Sequence, residues 1–335
     1  MAQFNSGFEE EMRRILAAVS ISSPLSFIFA GERVDVAPPD ANAAPSLAQN
    51  PPLVMKLQQH LYQHCYCVAF GSRQPETAPV TVTGEKFLAQ LSQANQSRSF
   101  WDSNWQVTRV ENTGQVWAEK AGVMRFFQPG EFVNYSAAGM PPRAGNSISV
   151  YLFKESTALQ PGCYFAFGET AAPSDYLDIF RLYWNIDSTG VLDLLPRVSR
   201  DLNRFQVPFQ LKCPVWPQGY KRRDAAVLYV KKRFYPIVRE LASAWQKECS
   251  GHMRNGVPLF SLALAPGLGL AEDPESGESF GMHRCRHLAE VIWNAHNTGV
   301  PESQRLQALK EHFRQHGLDF NRPYLNPGSV DQYSA

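Results

Sequence analysis

The sequence feature that most constrains the fold is a run of strand-like alternation that begins after Trp101. Trp105 and Val107 alternate with polar residues up to the turn at 112–114, and three further strand-like segments follow, the last of which ends at Tyr135. Apolar residues at every second position favour strands with one buried face, and turn residues between such strands favour hairpins. Segments 147–153 and 162–167 are rich in aromatic and β-branched residues and predict two more strands.

The second half of the chain alternates strand-like and helical patterns. Helical spacing recurs at 191–205, 235–249, 280–295 and 302–316, with short strand-like segments before and between these helices. This order predicts an α+β fold, a mixed and mainly antiparallel sheet with flanking helices in a single large globular unit. We further expect a mainly helical N-terminal subdomain over residues 1–100, with a soft boundary near residue 100, followed by a larger α+β domain over 101–335.

Composition and charge exclude several classes of protein. The net charge is +1, from 32 Lys and Arg against 31 Asp and Glu, so neither a polybasic nucleic-acid wrapper nor an acidic tail is present. The six cysteines include no CxxC pair, which favours reduced, buried thiols. The N-terminus has no basic region before its apolar face, and no apolar stretch is long enough to span a bilayer. The sequence therefore predicts a soluble cytoplasmic protein without nucleic-acid or membrane partners.

The segment 277–293 contains the densest cluster of candidate functional residues. If a helix starts near Phe280, then His283, Arg286 and His287 lie on one face, and Arg284 lies about one step round. Cationic side chains near a helix N-terminus favour binding of an anion. The alternative is an ordinary solvated basic face. His283 and His287 also have the spacing of half a zinc site, but no glutamate follows in the HExxH arrangement, so no metal is expected.

Two lysines are candidates for a general base. Lys212 lies between apolar neighbours in VPFQLKC, and Lys154 occupies a similar position in VYLFKES. Partial loss of solvent favours the neutral amine that a base requires. The alternative for both is an edge-strand lysine whose ammonium group reaches back to water.

Further cations surround the aromatic segment FRLYWN. Arg181 in that segment either stacks on its aromatic neighbours or binds an anion in a cleft. Basic residues at 221–223, including Arg222, and at 231–233 bracket one predicted strand. The glycine-rich LAPGLGLAEDP lacks the GK[ST] ending of a phosphate loop and the third glycine of a dinucleotide fingerprint, and it is interpreted as a rigid turn.

Four segments resemble the HopA effector family: FRLYWNI (180–186), VPFQLK (207–212), RRDAAVLYV (222–230) and the long segment 257–286. The resemblance extends over about residues 100–290, so the 101–335 domain is expected to be a HopA-like α+β catalytic domain. The family is named for a type III secreted effector of plant pathogens. Its bacterial relatives in class V lanthipeptide and thioamitide pathways are regarded as lyases that eliminate phosphate from phosphoserine or phosphothreonine. The resemblance thus implies a phosphorylated ribosomal precursor peptide as the substrate and a kinase as a partner.

The chemistry of β-elimination assigns roles to the residues named above. A base removes the Cα proton, cations hold the leaving phosphate and an acid protonates its bridging oxygen, and no metal, nucleotide or redox cofactor is needed. We expect Lys212 to be the base, with Lys154 as its competitor, and His283 to be the acid. Tyr183 and Tyr229 would assist. The predicted phosphate-binding residues are Arg181, Arg284, Arg286 and, less centrally, Arg222.

Two alternatives remain open from the sequence. The same cations could serve a non-catalytic module that binds a phosphopeptide or a partner protein. The chain could also be an effector-like protein that acts on host signalling. The absence of a serine-rich, disordered N-terminal segment favours the peptide-modifying branch.

Overall fold

The computed structural model describes residues 2–38, 50–72, 83–135, 140–172 and 177–333. The helices of this part of the chain are α1 (Ala2–Ala17), α2 (Pro52–Leu61), α3 (Thr83–Ala94), α4 (Ser188–Arg204), α5 (Tyr235–Glu248), α6 (Phe280–Asn297) and α7 (Arg305–Gln315). The strands are β1 (Val19–Ser23), β2 (Ser26–Phe29), β3 (Glu32–Asp35), β4 (Phe100–Val110), β5 (Val116–Lys120), β6 (Val123–Phe127), β7 (Phe132–Val133), β8 (Ser147–Leu152), β9 (Glu155–Ser156), β10 (Cys163–Phe167), β11 (Ile179–Trp184), β12 (Gln210–Pro214), β13 (Ala226–Lys231), β14 (Leu262–Ala265) and β15 (Leu268–Glu272).

The strand pairings confirm the predicted fold class. The sheets combine with seven helices in the described chain, and the hairpins expected after Trp101 are present as antiparallel pairs β4–β5 and β5–β6. The fold is therefore α+β with mainly antiparallel sheets. None of the helices in the described residues is both long enough and apolar enough to cross a membrane.

The chain divides into two compact units. Unit 1 comprises Met1–Glu76, Lys221–Asp224 and Asn255–Ala335, and unit 2 comprises Thr77–Tyr220 and Ala225–Arg254. Neither unit begins or ends at residue 100, where the sequence suggested a soft boundary. Unit 1 joins the two ends of the chain, because α2 packs against α6 and α1 packs against α7.

Unit 1 contains a three-stranded antiparallel sheet, β1-β2-β3, besides its helices. It also contains the β14–β15 hairpin, which corrects the interpretation of the glycine-rich segment as only a rigid turn. Gly267, with a φ of +74°, supplies the turn, and the residues after it form a strand that is buried throughout. At the end of that strand the buried Glu272 accepts hydrogen bonds from Tyr333 Oη and Asn326 N, 3.0 and 2.8 Å away.

A glycine allows α6 to approach the turn that follows α2. That turn is π-helical, spans Tyr62–Tyr66 and stacks two tyrosine rings with centroids 5.2 Å apart. A Cβ atom on Gly281 would lie 2.6 Å from Tyr66 Cε1 and 2.7 Å from Tyr62 Cε2. The absence of a side chain at Gly281 therefore sets the distance between α6 and this turn.

We expect Gly281→Ala to lower the free energy of unfolding of unit 1 by about 1–3 kcal/mol. This is the usual cost of overpacking, and it exceeds the roughly 1 kcal/mol that alanine gains over glycine within a helix. The matched control is Gly7→Ala in α1, where a Cβ would meet nothing within 4 Å. The control should be neutral or stabilising in urea denaturation. Equal stability changes for the two variants would contradict the packing argument.

In unit 2, five strands form an antiparallel sheet in the order β6-β5-β4-β8-β7. The sheet has its own core, in which Trp105 packs edge-on against Phe127 with ring centroids 5.2 Å apart. The pairing of β4 with β5 shifts register between Val107 and Arg109. This bulge breaks the alternation, so that Val107 is buried while Arg109 is exposed and lies over the Trp117 ring.

A second group of strands in unit 2 positions the candidate site. These strands are hydrogen-bonded neighbours in the order β11-β13-β12-β10-β9. Helix α5 covers one face of β11, where Phe180 meets Tyr235 and Trp184 meets Trp245. Helix α4 begins at Asp187, whose carboxylate accepts from the backbone N–H groups of Thr189 and Gly190. The opposite face of β11 therefore carries the residues at 181 and 183.

Candidate functional site

Three of the predicted site residues share one face of this sheet. Tyr183 lies opposite Val227, and Val227 lies opposite Lys212 on the next strand. Arg181 lies two residues from Tyr183 on the same strand and opposite Tyr229. Directly opposed residues and residues two apart project from the same face of an antiparallel sheet. Arg181, Tyr183 and Lys212 are therefore neighbours on the face opposite α5, where Arg181 and Tyr183 are buried and Lys212 is half-buried.

The cations on this face have different environments. Arg181 is only 8% exposed, and its guanidinium carbon lies 5.0 Å from the centroid of the Tyr229 ring. Lys212 is half-buried, and within the described residues its ammonium group forms no hydrogen bond or ion pair. A half-buried lysine without a partner is uncommon, because removing an ammonium group from water is costly unless it is paired. The Lys212 ammonium group is thus not held by any other group of the described residues.

Lys154, the competing candidate for the base, has an ammonium group that contacts other residues. Its Nζ donates to the backbone carbonyl of Ser92 in α3 at 2.8 Å and lies 3.7 Å from Glu155 Oε2. The backbone of Lys154 is also engaged, since its carbonyl accepts from Phe167 N at 2.8 Å. These bonds tie α3 to the β9–β10 region. Lys154 therefore has a structural role in the observed conformation.

A large cavity lies in unit 2 beside this sheet face. Its volume is about 1180 Å³, and Gln210, Tyr229 and Lys231 of the same face contribute to its lining. Arg109 and Arg125 line it from the other sheet, and many of the remaining lining residues are aromatic. The volume and the mixture of aromatic and polar groups suit an extended peptide better than a single phosphate ion.

The residues predicted on α6 lie in unit 1, where Ser279 caps the start of the helix and its hydroxyl accepts from Met282 N. Arg284 is completely buried. Its Nε and Nη2 donate to the carbonyls of Pro323 and Leu325, each at 2.8 Å, and its Nη1 lies 2.7 Å from His283 Nδ1. These bonds anchor the C-terminal segment to α6. The phosphate-binding role predicted for Arg284 conflicts with this burial, because the chain itself uses its donors.

The predicted acid, His283, also has an unfavourable environment. Burial, together with the positive charges of Arg284 and Arg286, lowers the pKa of His283 to about 3. At neutral pH the imidazole is therefore uncharged, whereas a general acid must carry the proton that it donates. The acid role predicted from the sequence conflicts with this electrostatic environment.

The two remaining arginines are paired with carboxylates of unit 1. Arg286 donates to Glu278 at 2.9 Å and to Glu290 at 3.0 Å. Arg222 forms two hydrogen bonds to Asp224, at 2.8 and 2.7 Å, and a third to Tyr62 Oη. A phosphate at either arginine would have to displace these partners. The structure thus places Arg181, Tyr183 and Lys212 on a common face, and it holds the unit 1 candidates in contacts of their own.

Sequence reasoning missed a group of histidines that could hold a metal ion. His287 of α6 meets His312 of α7 and His316, which directly follows α7, and one ring nitrogen from each lies within 4.8 Å of the others. The missed signal was the spacing of His312 and His316, four residues apart on a predicted helix, which matches the spacing of His283 and His287. Of these two pairs, only His283 and His287 were named from the sequence as half of a possible metal site.

Comparison with known families identifies the class of protein. The profile of the HopA1 effector protein family matches residues 154–325, just over half of the 335-residue chain. The chain belongs to the HopA1 effector protein family. The match includes every predicted site residue, but it starts at 154 rather than near 100 and continues past 290 to 325. No curated protein matches the chain.

Two solved structures are similar to this chain. One is the effector protein from Pseudomonas syringae pv. tomato strain DC3000, with 16% sequence identity and a TM-score of 0.43, covering 83% of this chain and 91% of that chain. The other is the effector protein from Pseudomonas syringae pv. syringae strain 61, with 17% identity and a TM-score of 0.42, covering 81% of this chain and 95% of that chain.

Proposed function

We propose that the chain is a lyase that eliminates phosphate from phosphoserine or phosphothreonine in a peptide, giving dehydroalanine or dehydrobutyrine. The observation that carries the proposal is the half-buried Lys212, which has no partner in the described part of the chain and shares a sheet face with Arg181 and Tyr183. Membership of the HopA1 effector protein family supports it, since the sequence resembles the members of that family that are regarded as lyases.

The proposed reaction uses groups on this one face. The Lys212 amine takes the Cα proton, the electrons of that C–H bond form the Cα–Cβ double bond, and the Cβ–O bond breaks to release phosphate. Arg181 binds the phosphate and stabilises the charge that grows on it. In the proposed reaction Tyr183, a buried phenol on the face of Lys212, replaces His283 as the proton donor to the bridging oxygen.

The cavity provides room for the peptide beside the sheet face that carries Lys212. Tyr151, Tyr229 and Phe209 offer flat surfaces for a peptide backbone and its side chains, and Gln210 offers an amide for hydrogen bonding. The same cavity also favours the second candidate function, a module that binds a phosphopeptide without reacting with it. The phosphorylated precursor peptide and the partner kinase remain predictions under either function.

The two candidate functions are distinguished by mass spectrometry. The wild-type protein is incubated with a phosphothreonine peptide and with its unphosphorylated counterpart, in buffer containing EDTA. We expect only the phosphopeptide to lose phosphoric acid, and we expect this loss to occur in EDTA because elimination requires no metal. Hydrolysis would instead remove phosphate and add water. Saturable binding of the phosphopeptide without any dehydro product would establish the binding module. Activity that disappears with EDTA and returns with added metal would contradict the metal-free mechanism.

A further inference from the structure

We propose that unit 1 contains a site for a divalent transition metal of the Zn²⁺ class, formed by His287 and Glu290 of α6, by His312 of α7 and by His316, which directly follows α7. The site is separate in its residues from the proposed elimination chemistry, and no step of that chemistry requires it. One bound ion would join the two helices through this histidine cluster.

The distances between the candidate ligand atoms fit tetrahedral coordination. His287 Nδ1 lies 3.0 Å from His312 Nε2, and Glu290 Oε2 lies 3.4 Å from His312 Nε2 and 3.7 Å from His287 Nδ1. Bonds of 2.0–2.2 Å in a tetrahedral zinc site place ligand atoms about 3.3 Å apart. The three atoms therefore already define one face of such a tetrahedron, and His316 supplies the fourth ligand with a nitrogen within 4.8 Å of the other two imidazoles.

Outer contacts orient two of these ligands. The Oε1 atom of Glu290 accepts from Asn50 Nδ2 at 2.9 Å and from Arg286 Nη1 at 3.0 Å, which leaves Oε2 directed at the histidines. His316 Nδ1 donates to the backbone carbonyl of His312 at 2.8 Å, so that Nε2 keeps the lone pair needed for coordination. Ligating histidines and carboxylates in metal sites are typically held by such second partners.

Helical spacing and burial also suit a metal. His287 and Glu290 are three residues apart on α6, and His312 and His316 are four apart at the end of α7, so each pair projects from one face of its helix. The His287 side chain is 3% exposed, those of His312 and Glu290 are 13% and 16% exposed, and His316 is exposed. An ion can therefore enter from the His316 side and lose its water as the buried ligands bind.

The charged residues around the site affect whether it can bind a cation or an anion. Arg286 lies near the cluster and would oppose a cation, but it is paired with both Glu278 and Glu290. Glu290 in turn would repel a phosphate or any other anion. Imidazole and carboxylate ligands together suit Zn²⁺ and its neighbours in the transition series rather than Mg²⁺ or Ca²⁺.

The test is direct metal binding to the whole chain after EDTA treatment and removal of the chelator. Titration with Zn²⁺ should give one ion per chain, and Co²⁺ should give the intense visible absorption of a tetrahedral complex. His316→Ala, at an exposed position that leaves folding intact by circular dichroism, should weaken Zn²⁺ binding at least about tenfold. His312→Ala should weaken it further. The matched control is His296→Ala, an exposed histidine elsewhere on α6 that should bind as the wild type does.

The outcomes separate this proposal from the lyase proposal. Failure of the wild-type protein to bind Zn²⁺, or equal binding by wild type and His316→Ala, would overturn the metal site and would show that the histidines form only a hydrogen-bonded cluster. Neither result depends on a phosphopeptide. Bound Zn²⁺ should also raise the melting temperature of the wild-type protein by a few degrees but not that of His316→Ala.

Discussion

Replacing Lys212 with alanine is expected to lower the rate of phosphate elimination by about 10²–10⁴-fold while phosphopeptide affinity stays within a few fold of wild type, because a proton-transfer group acts mainly in the transition state. Single-turnover mass spectrometry measures the rate, and fluorescence anisotropy with a labelled phosphopeptide measures the affinity. The separation of rate from affinity is what distinguishes a base from a residue that only binds phosphate.

Two further variants provide the comparison. Lys154→Ala should keep the turnover of the folded protein, because its Nζ is bound to the Ser92 carbonyl and serves structure. Arg181→Ala should lose affinity and turnover together, since a phosphate-binding residue acts in both the ground state and the transition state. An active Lys212→Ala variant beside an inactive Lys154→Ala variant would transfer the role of base to Lys154 and leave the reaction class intact.

Arg284→Ala is expected to lower the free energy of unfolding of unit 1 by about 3 kcal/mol or more. Each buried carbonyl that loses its donor costs about 1–3 kcal/mol, and Arg284 donates to two of them. The variant also loses the contact of the guanidinium with the Phe280 ring, 5.0 Å away. Urea denaturation followed by near-ultraviolet circular dichroism measures the change, with a separate transition allowed for each unit.

The matched control for this prediction is Arg233→Ala. Arg233 is exposed and lies over the neighbouring Phe234 ring, so its removal should change stability by no more than about 0.5 kcal/mol. If Arg284→Ala were as stable as the wild type but failed to bind a phosphopeptide, the phosphate-binding role predicted from the sequence would be restored. The structural role described for Arg284 would then be wrong.

Local patterns in the sequence predicted much of the secondary structure. The alternation after Trp101 gave the hairpins β4–β5 and β5–β6 because the buried face of that sheet repeats every second residue. The glycine-rich segment was predicted to be a rigid turn, whereas only Gly267 needs a positive φ for the turn and the residues after it form strand β15. The composition of unit 1 could not be predicted, because no local pattern shows that α2 packs against α6.

The candidate site was predicted residue by residue but not in its arrangement. The apolar context of Lys212 and the aromatic context of Arg181 indicated buried cations, but the register that places them on one face depends on the pairing of three strands. The burial of Arg284 did have a sequence signal. Arg284 lies four residues after Phe280 and four before Leu288, and residues at that spacing share the apolar face of a helix.

Unit 1 is built from segments that lie far apart in the sequence, and this affects how it folds during translation. The apolar face of α2 includes Leu53, Leu57 and Leu61, and it packs against α6, which begins at Phe280. At translation rates of 5–20 residues per second, the roughly 220 residues between these helices take ~10–40 s to leave the ribosome. During that interval α2 lacks its α6 partner, whereas all of unit 2 is completed before α6 emerges. Unit 1 is therefore the last part of the nascent chain to close, and the face of α2 that packs against α6 stays exposed to chaperones and to aggregation until it does.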